Sequence, residues 1–202
     1  MPNWVYNSVT ITATPERCEE IKKTLAQRDD QGKEQALSFQ NIVPRPADEP
    51  DWYNWNIANW DTKWDACEPH LDENGNGTLR YTFSTAWSPP MAVIEAFATK
   101  NDDVDIEYHY EEEQGWGGSL TISKGTLIEH EQYDIPESHA DLMTRHGHCY
   151  CEDGERSYFD DCFYQQAKES GVSDPHILEA VKGLGPGWSG TLEDLLEAAK
   201  RL

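Results

Sequence analysis

The stretch Asp103-Val104-Asp105-Ile106-Glu107-Tyr108-His109-Tyr110 alternates without a break between charged or polar and apolar residues. In a strand, successive side chains point to opposite faces. Val104, Ile106, Tyr108 and Tyr110 therefore point inward and Asp103, Asp105, Glu107 and His109 outward, which predicts a sheet with one buried and one wet side. Upstream, residues 3–12 repeat the pattern, with Val5, Val9 and Ile11 on one face. Thr14-Pro15 then supplies a helix cap and a first-turn proline, followed by Cys18, Ile21 and Leu25 at helical spacing.

Residues 64–71 and 78–87 flank Asp72-Glu73-Asn74-Gly75-Asn76-Gly77, a turn-rich connection that predicts a hairpin. The second arm is expected to put Leu79, Tyr81, Phe83, Thr85 and Trp87 on one face. Ser88-Pro89-Pro90 predicts a helix start with Ser88 as its cap, and Val93, Ile94 and Phe97 form the stripe of that helix. No histidine is placed by sequence to activate Ser88, so it is read as a cap and not as a nucleophile. Two more strands are predicted near 118–124 and 126–133, split by Gly125. The order β-α-β-β-α-β, plus extra antiparallel strands, predicts an α+β ferredoxin-like sandwich. Residues 40–63 form a Trp- and Pro-rich insertion.

From about residue 135 the spacing becomes helical, with helices expected at 137–145, 158–169, 174–182 and 191–201. The predicted division is a ferredoxin-like domain over 1–134 and a helical C-terminal region over 135–202.

Three strings, Met1-Pro2-Asn3-Trp4-Val5-Tyr6-Asn7, Asn59-Trp60-Asp61-Thr62-Lys63-Trp64-Asp65-Ala66 and Thr85-Ala86-Trp87-Ser88-Pro89-Pro90, resemble the YubB-type ferredoxin-like family over roughly residues 1–130. The resemblance implies the same fold and a bacterial plasmid, phage or integrated-element setting. It carries no catalytic residues.

Charge narrows the function classes. The chain of 202 residues holds 38 acids and 16 Lys and Arg, a net charge of −22. Residues 1–100 carry 15 acids and 9 bases, and residues 101–202 carry 23 acids and 7 bases, so the excess lies in the second half. Gripping a phosphate backbone needs the opposite sign, as does an anionic membrane surface. No apolar run is long enough for a membrane helix, and the first residues lack a signal-peptide pattern. With five Cys, an odd count, reduced thiols in a bacterial cytoplasm are expected.

The acids concentrate between Asp102 and Glu113, with no Lys or Arg among them. Asp102, Asp103, Asp105, Glu107, Glu111, Glu112 and Glu113, with Trp116 as anchor, form the candidate partner-binding surface, and the 129–161 region is expected to share the contact. A chain of this length is ~40 Å across. Duplex DNA of that length carries about 24 charges, which −22 approaches. The expected activity is therefore non-enzymatic: binding a host protein with a basic nucleic-acid-binding surface, and inhibiting it by imitating nucleic-acid charge. A solvated acidic surface without such a role is the plainer alternative.

Two metal readings compete with this one. Glu107, His109 and Glu111 on one strand offer ligands for a divalent hydrolase metal. His146, His148, Cys149 and Cys151 offer thiolate and imidazole to Zn²⁺, with Cys162 as a fourth ligand, although they lack paired Cys-x₂-Cys spacing. Cys149 is also weighed as a catalytic thiol. A further alternative is an oligomeric accessory protein. Of Trp52, Trp55, Trp60 and Trp64, the expectation is that the rings complete the core, with partner anchoring as the second use.

Overall fold

The computed structural model describes residues 2–28, 32, 34–73, 76–138, 141, 145, 171, 176, 180 and 192–201. Contacts divide the chain into two units, Met1–Ile135 and Pro136–Leu202.

The first unit is one antiparallel sheet with helices. Its elements in chain order are β1 (Trp4–Thr12), α1 (Pro15–Leu25), the short pair β2 (Gln27–Arg28) and β3 (Glu34–Gln35), a 3₁₀ turn (Phe39–Asn41), α2 (Trp52–Trp60), β4 (Cys67–Glu73), β5 (Thr78–Ala86), α3 (Met91–Lys100), β6 (Asp105–Glu112), β7 (Gly117–Ser123) and β8 (Thr126–Tyr133). The large sheet has strand order β4-β5-β1-β6-β7-β8. Each neighbouring pair is antiparallel.

Alternation explains the core. Val5, Val9 and Ile11 of β1, Leu79, Tyr81 and Phe83 of β5, Ile106, Tyr108 and Tyr110 of β6, and Leu120 and Ile122 of β7 are buried. They join Cys18, Ile21 and Leu25 of α1 and Val93, Ile94 and Phe97 of α3 in one cluster. Helix α1 starts as its sequence predicts, with the Thr14 hydroxyl accepting from the Arg17 amide at 3.3 Å and Pro15 in the first turn.

Two expectations about the second strand and helix are corrected. Ser88 does not cap α3: Pro90 stands at the N-cap without a side-chain hydrogen bond. The Ala92 amide instead donates to the Asp61 carboxylate at 2.8 Å, and the Ser88 hydroxyl donates to the Asp61 carbonyl. Nor does Trp87 continue the buried face of β5. It leaves the strand at φ 72° and is 43% exposed.

The insertion over 40–63 contains a helix that its tryptophan content hides. Asp51 caps α2 by accepting from the Asn54 amide at 3.3 Å. Trp60 is the buried anchor, at 1% exposure. Phe39 and Trp55 meet its ring edge-on at 5.8 and 5.6 Å, and its indole N–H donates to the Val43 carbonyl at 2.9 Å. Trp55 packs partly buried against the core, while Trp52 is exposed, so not all four rings complete the core.

A buried polar chain ties the central strands together. The Tyr108 hydroxyl donates to Asn7 Oδ1 at 2.7 Å, and Asn7 Nδ2 donates to Val5 O at 2.8 Å and Thr85 Oγ1 at 3.0 Å. Burial, and then Tyr110, holds the Tyr108 phenol well above its ordinary value. The folded chain thus keeps this proton to higher pH than the unfolded one. The stability it contributes is complete below about pH 10 and falls as pH rises beyond that. Tyr108→Phe is expected to cost about 1–3 kcal/mol, because Asn7 Oδ1 loses its buried donor. It should also flatten the alkaline limb of stability against pH, measured by urea unfolding. An unchanged alkaline slope in Tyr108→Phe would contradict this assignment.

In the second unit, Leu192–Lys200 is a helix. The helices expected over 137–145, 158–169 and 174–182 fall largely outside the described residues, as does the cluster His146, His148, Cys149, Cys151 with Cys162.

Candidate functional site

The side chains that alternate away from the core form an open face. The register sets them in rungs across the strands. One rung reads Asp72, Arg80, Thr10, Glu107, Thr121, Glu129 from β4 to β8. The next open-face rung reads His70, Thr82, Ser8, His109, Ser119, Glu131. A third carries Ser84, Tyr6, Glu111, Gly117 and Tyr133. Asp105 opposes Thr12 and Ser123 at the far end. Apart from Tyr6, Arg80 and Gly117, the side chains of β1, β5 and β7 in these rungs are short hydroxyls, so the carboxylates of β6 and β8 stand beside a largely low, polar surface. Arg80 is the one Lys or Arg at these register positions among the described residues, and its Nε donates to Ser8 Oγ at 3.1 Å; His70 Nε2 lies 3.1 Å from Asp72 Oδ1.

The predicted acidic residues separate into those on this face and those off it. Asp105 and Glu107 lie on it, exposed; Asp105 accepts from the Ser123 hydroxyl at 2.6 Å. Glu111 lies on it, half-buried, and accepts from the Tyr133 hydroxyl at 2.9 Å. That contact crosses β7 at Gly117, where a Cβ would fall 2.8 Å from the Tyr133 hydroxyl. Glycine there leaves the tyrosine room to pass.

Asp102 and Asp103 occupy the turn before β6, so the expected carboxylate row of Asp103, Asp105 and Glu107 begins only at Asp105. Asp103 is paired with Arg17 of α1, Nε to Oδ2 at 2.9 Å, and this pair raises the Arg17 pKa above its ordinary value. Glu112 is corrected as a contact residue. It is 2% exposed and accepts from the Gln114 amide at 2.7 Å, which closes the β6–β7 turn. Trp116 is corrected as an exposed anchor: it packs partly buried against the core, edge-on to Tyr110 at 6.4 Å. Glu113 is exposed in the same turn. Sequence spacing missed Asp72 of β4; Glu129 and Glu131 of β8 fall in the expected 129–161 contact region, and strand pairing is what sets all three on the face of Glu107.

A depression of about 440 Å³ opens on this face, lined among others by Tyr6, Ser8, Glu68, His109, Glu111 and Tyr133. Within it the Glu111 carboxylate accepts from the Tyr133 phenol. At the β4 edge, burial and then the carboxylates of Asp65 and Glu68 push the Cys67 thiol up, which disfavours the thiolate. No group of three His, Cys, Asp or Glu able to hold a metal occurs among the described residues. Glu107, His109 and Glu111 follow one another at two-residue spacing, ~6.6 Å apart, along a single strand.

Beside the Tyr6 end of this face lies an aromatic cluster. Trp4 is two residues from Tyr6 along β1, and its ring meets Trp64 at 6.1 Å. The Lys63 ammonium sits 4.5 Å from the Trp64 ring centre, 4.6 Å from Trp87 and 5.9 Å from Tyr53. Trp52, Tyr53, Ile57 and Trp87 are exposed here. A left-handed backbone at a bulky residue such as Trp87 costs about 1–3 kcal/mol and persists only where its surroundings impose it. Here the Trp87 amide donates to Asn3 O at 2.9 Å, and Thr85 Oγ1 donates to Ser88 O at 2.9 Å. Thr62 Oγ1 donates to Ala86 O at 3.0 Å. The strings around Asn3, Asn59–Ala66 and Thr85–Pro90 thus converge in space, held by hydrogen bonds between them.

Residues 59–149 match the sequence model of a family described as a ferredoxin-like domain in Api92-like protein. The match takes in two of the three strings and strands β4 to β8. The crystal structure of the protein Api92 from Yersinia pseudotuberculosis superposes with a TM-score of 0.52 at 8% identity, over 66% of this chain and 99% of that chain. At that identity the likeness establishes the ferredoxin-like fold alone. No curated protein matches the chain in sequence.

Proposed function

We propose that the chain is a non-enzymatic interaction protein whose acidic open sheet face docks on a basic, nucleic-acid-binding surface of a host protein. By imitating nucleic-acid charge it keeps DNA from that surface. One observation carries the reading: Asp72, Asp105, Glu107, Glu111, Glu129 and Glu131 share the open face with His70, His109 and, among the described residues at these register positions, a single Lys or Arg, Arg80. Strands lie ~4.8 Å apart, so Glu107 and Glu129 are separated by about 10 Å. That is near one Debye length at physiological salt, and their fields add. Such a coherent row opposes folding by self-repulsion, a cost that a cationic partner offsets.

The helices β1-α1-β4 and β5-α3-β6 enclose are read as those of two β-α-β halves of a ferredoxin-like unit, with β7 and β8 widening the acidic face. Residues 135–202 are taken as a helical appendage. The YubB-type resemblance supports a plasmid or phage setting in a bacterial cytoplasm, where blocking a DNA-processing or defence enzyme benefits the element.

The test is capture of the partner from bacterial extract at low and high salt, followed by competition with duplex DNA. Binding is expected to fall steeply with salt, since released counterions drive it, and duplex DNA should displace the chain. A partner that holds DNA and this chain at the same time would exclude charge imitation.

A further inference from the structure

We propose that Tyr53, Trp64 and Trp87 form a binding site for an arginine side chain of the partner, and that Lys63 is the internal cation holding this site until the partner arrives. The inference rests on the reading of the acidic face, because it names how the basic partner is gripped at that face's end.

The geometry is that of a cation-recognition box. Rings attract a cation within about 6 Å of their centres, and the indole faces of tryptophan do so most strongly. The Lys63 ammonium meets this criterion against three rings at once, at 4.5, 4.6 and 5.9 Å. The rings are not buried core: Trp87 is 43% and Tyr53 38% exposed. Trp87 reaches its place only by a left-handed backbone, at φ 72°. A residue kept in a disfavoured conformation in order to present an exposed ring is better explained by a ligand than by packing. Trp4 continues the cluster onto the face that bears Tyr6, Ser8 and Glu111. A basic partner lying on those carboxylates therefore carries its cations to the box.

Arginine fits better than lysine. A guanidinium is planar, stacks on aromatic faces and is more weakly hydrated than an ammonium, so it displaces Lys63 at the lower desolvation cost. Lys63 then swings into solvent on its flexible stem.

The probe is N-acetyl-arginine methylamide, with the citrulline analogue as neutral isostere and the lysine analogue as third arm. Protons on the Lys63 ε-carbon lie in the ring currents of two indoles and report occupancy by NMR of the intact chain. Arginine is expected to move them saturably toward solvent-like positions, with citrulline at least tenfold weaker. Trp87→Gly should retain or raise the melting temperature, since glycine adopts positive φ without steric cost, and lose the arginine response at least tenfold.

Lys63 resonances unmoved by arginine, or moved equally by citrulline, would overturn the proposal. So would a lysine analogue that binds more tightly than arginine, or a folded Trp87→Gly that responds like the parent. If Trp87→Gly does not fold, the arginine and citrulline arms decide alone. Salt-dependent capture that persists without an arginine response would remove the box and leave the acidic face standing; loss of capture with the response intact would do the reverse.

Discussion

Trp60→Ala is expected to lower stability by about 3–5 kcal/mol, the range for deleting a large buried aromatic. The ring is 1% exposed and touches Phe39 and Trp55 edge-on. The Arg45 guanidinium lies 5.7 Å from its centre. Truncation opens a cavity and also strips the Val43 carbonyl of its indole donor. The effect spreads, because Trp60 fixes the helix whose end sets Asp61 against α3 and Thr62 against β5. Domains of this size have about 5–15 kcal/mol in total, so the variant should sit near the edge of folding. Urea unfolding measures it as a lowered midpoint at similar slope. A loss below ~1 kcal/mol would mean that the insertion is an ornament on the sheet and not part of its core.

The second large effect concerns binding and leaves the fold alone. Glu107→Lys, Glu129→Lys and Glu131→Lys combined should weaken partner capture by about a hundredfold or more, since like charges set against a basic surface cost several kcal/mol. All three residues are exposed, on β6 and β8. Each reversal adds two charges, which takes the chain from −22 to −16. Self-repulsion therefore falls, and the variant is expected to fold at least as well as the parent. Reversing Asp103 is predicted to act differently: it breaks the pair with Arg17, a helix contact, and leaves the open face unchanged. Equal losses from Asp103→Lys and from the triple variant would place the contact elsewhere.

Much of the fold was legible because strands that bury one face show it in alternation. The β6 pattern identified Ile106, Tyr108 and Tyr110 as core, and the same alternation, carried two residues further, turns Glu112 inward. Composition pulled Glu112 into the contact surface against that signal. Helix α2 was hidden because its tryptophans look like an irregular insertion, although Asp51 ahead of Trp52 is a cap signal. The cap of α3 was not legible locally at all. Asp61 supplies it from 31 positions upstream, and only the tertiary approach of the loop after α2 brings the two together. The acidic face shows the same limit. Glu107 stood out within its own strand, whereas Asp72, Glu129 and Glu131 join it through pairing that no local window contains.

The most direct test of the acidic face is a hydrogen-exchange footprint of the chain in complex with its captured partner. Slowed exchange is expected along β6, β7 and β8 and at Tyr6 to Thr10 of β1, with α1 and α3 unchanged. Protection confined to α1 and α3, with the β6–β8 strands exchanging as in the free chain, would contradict it.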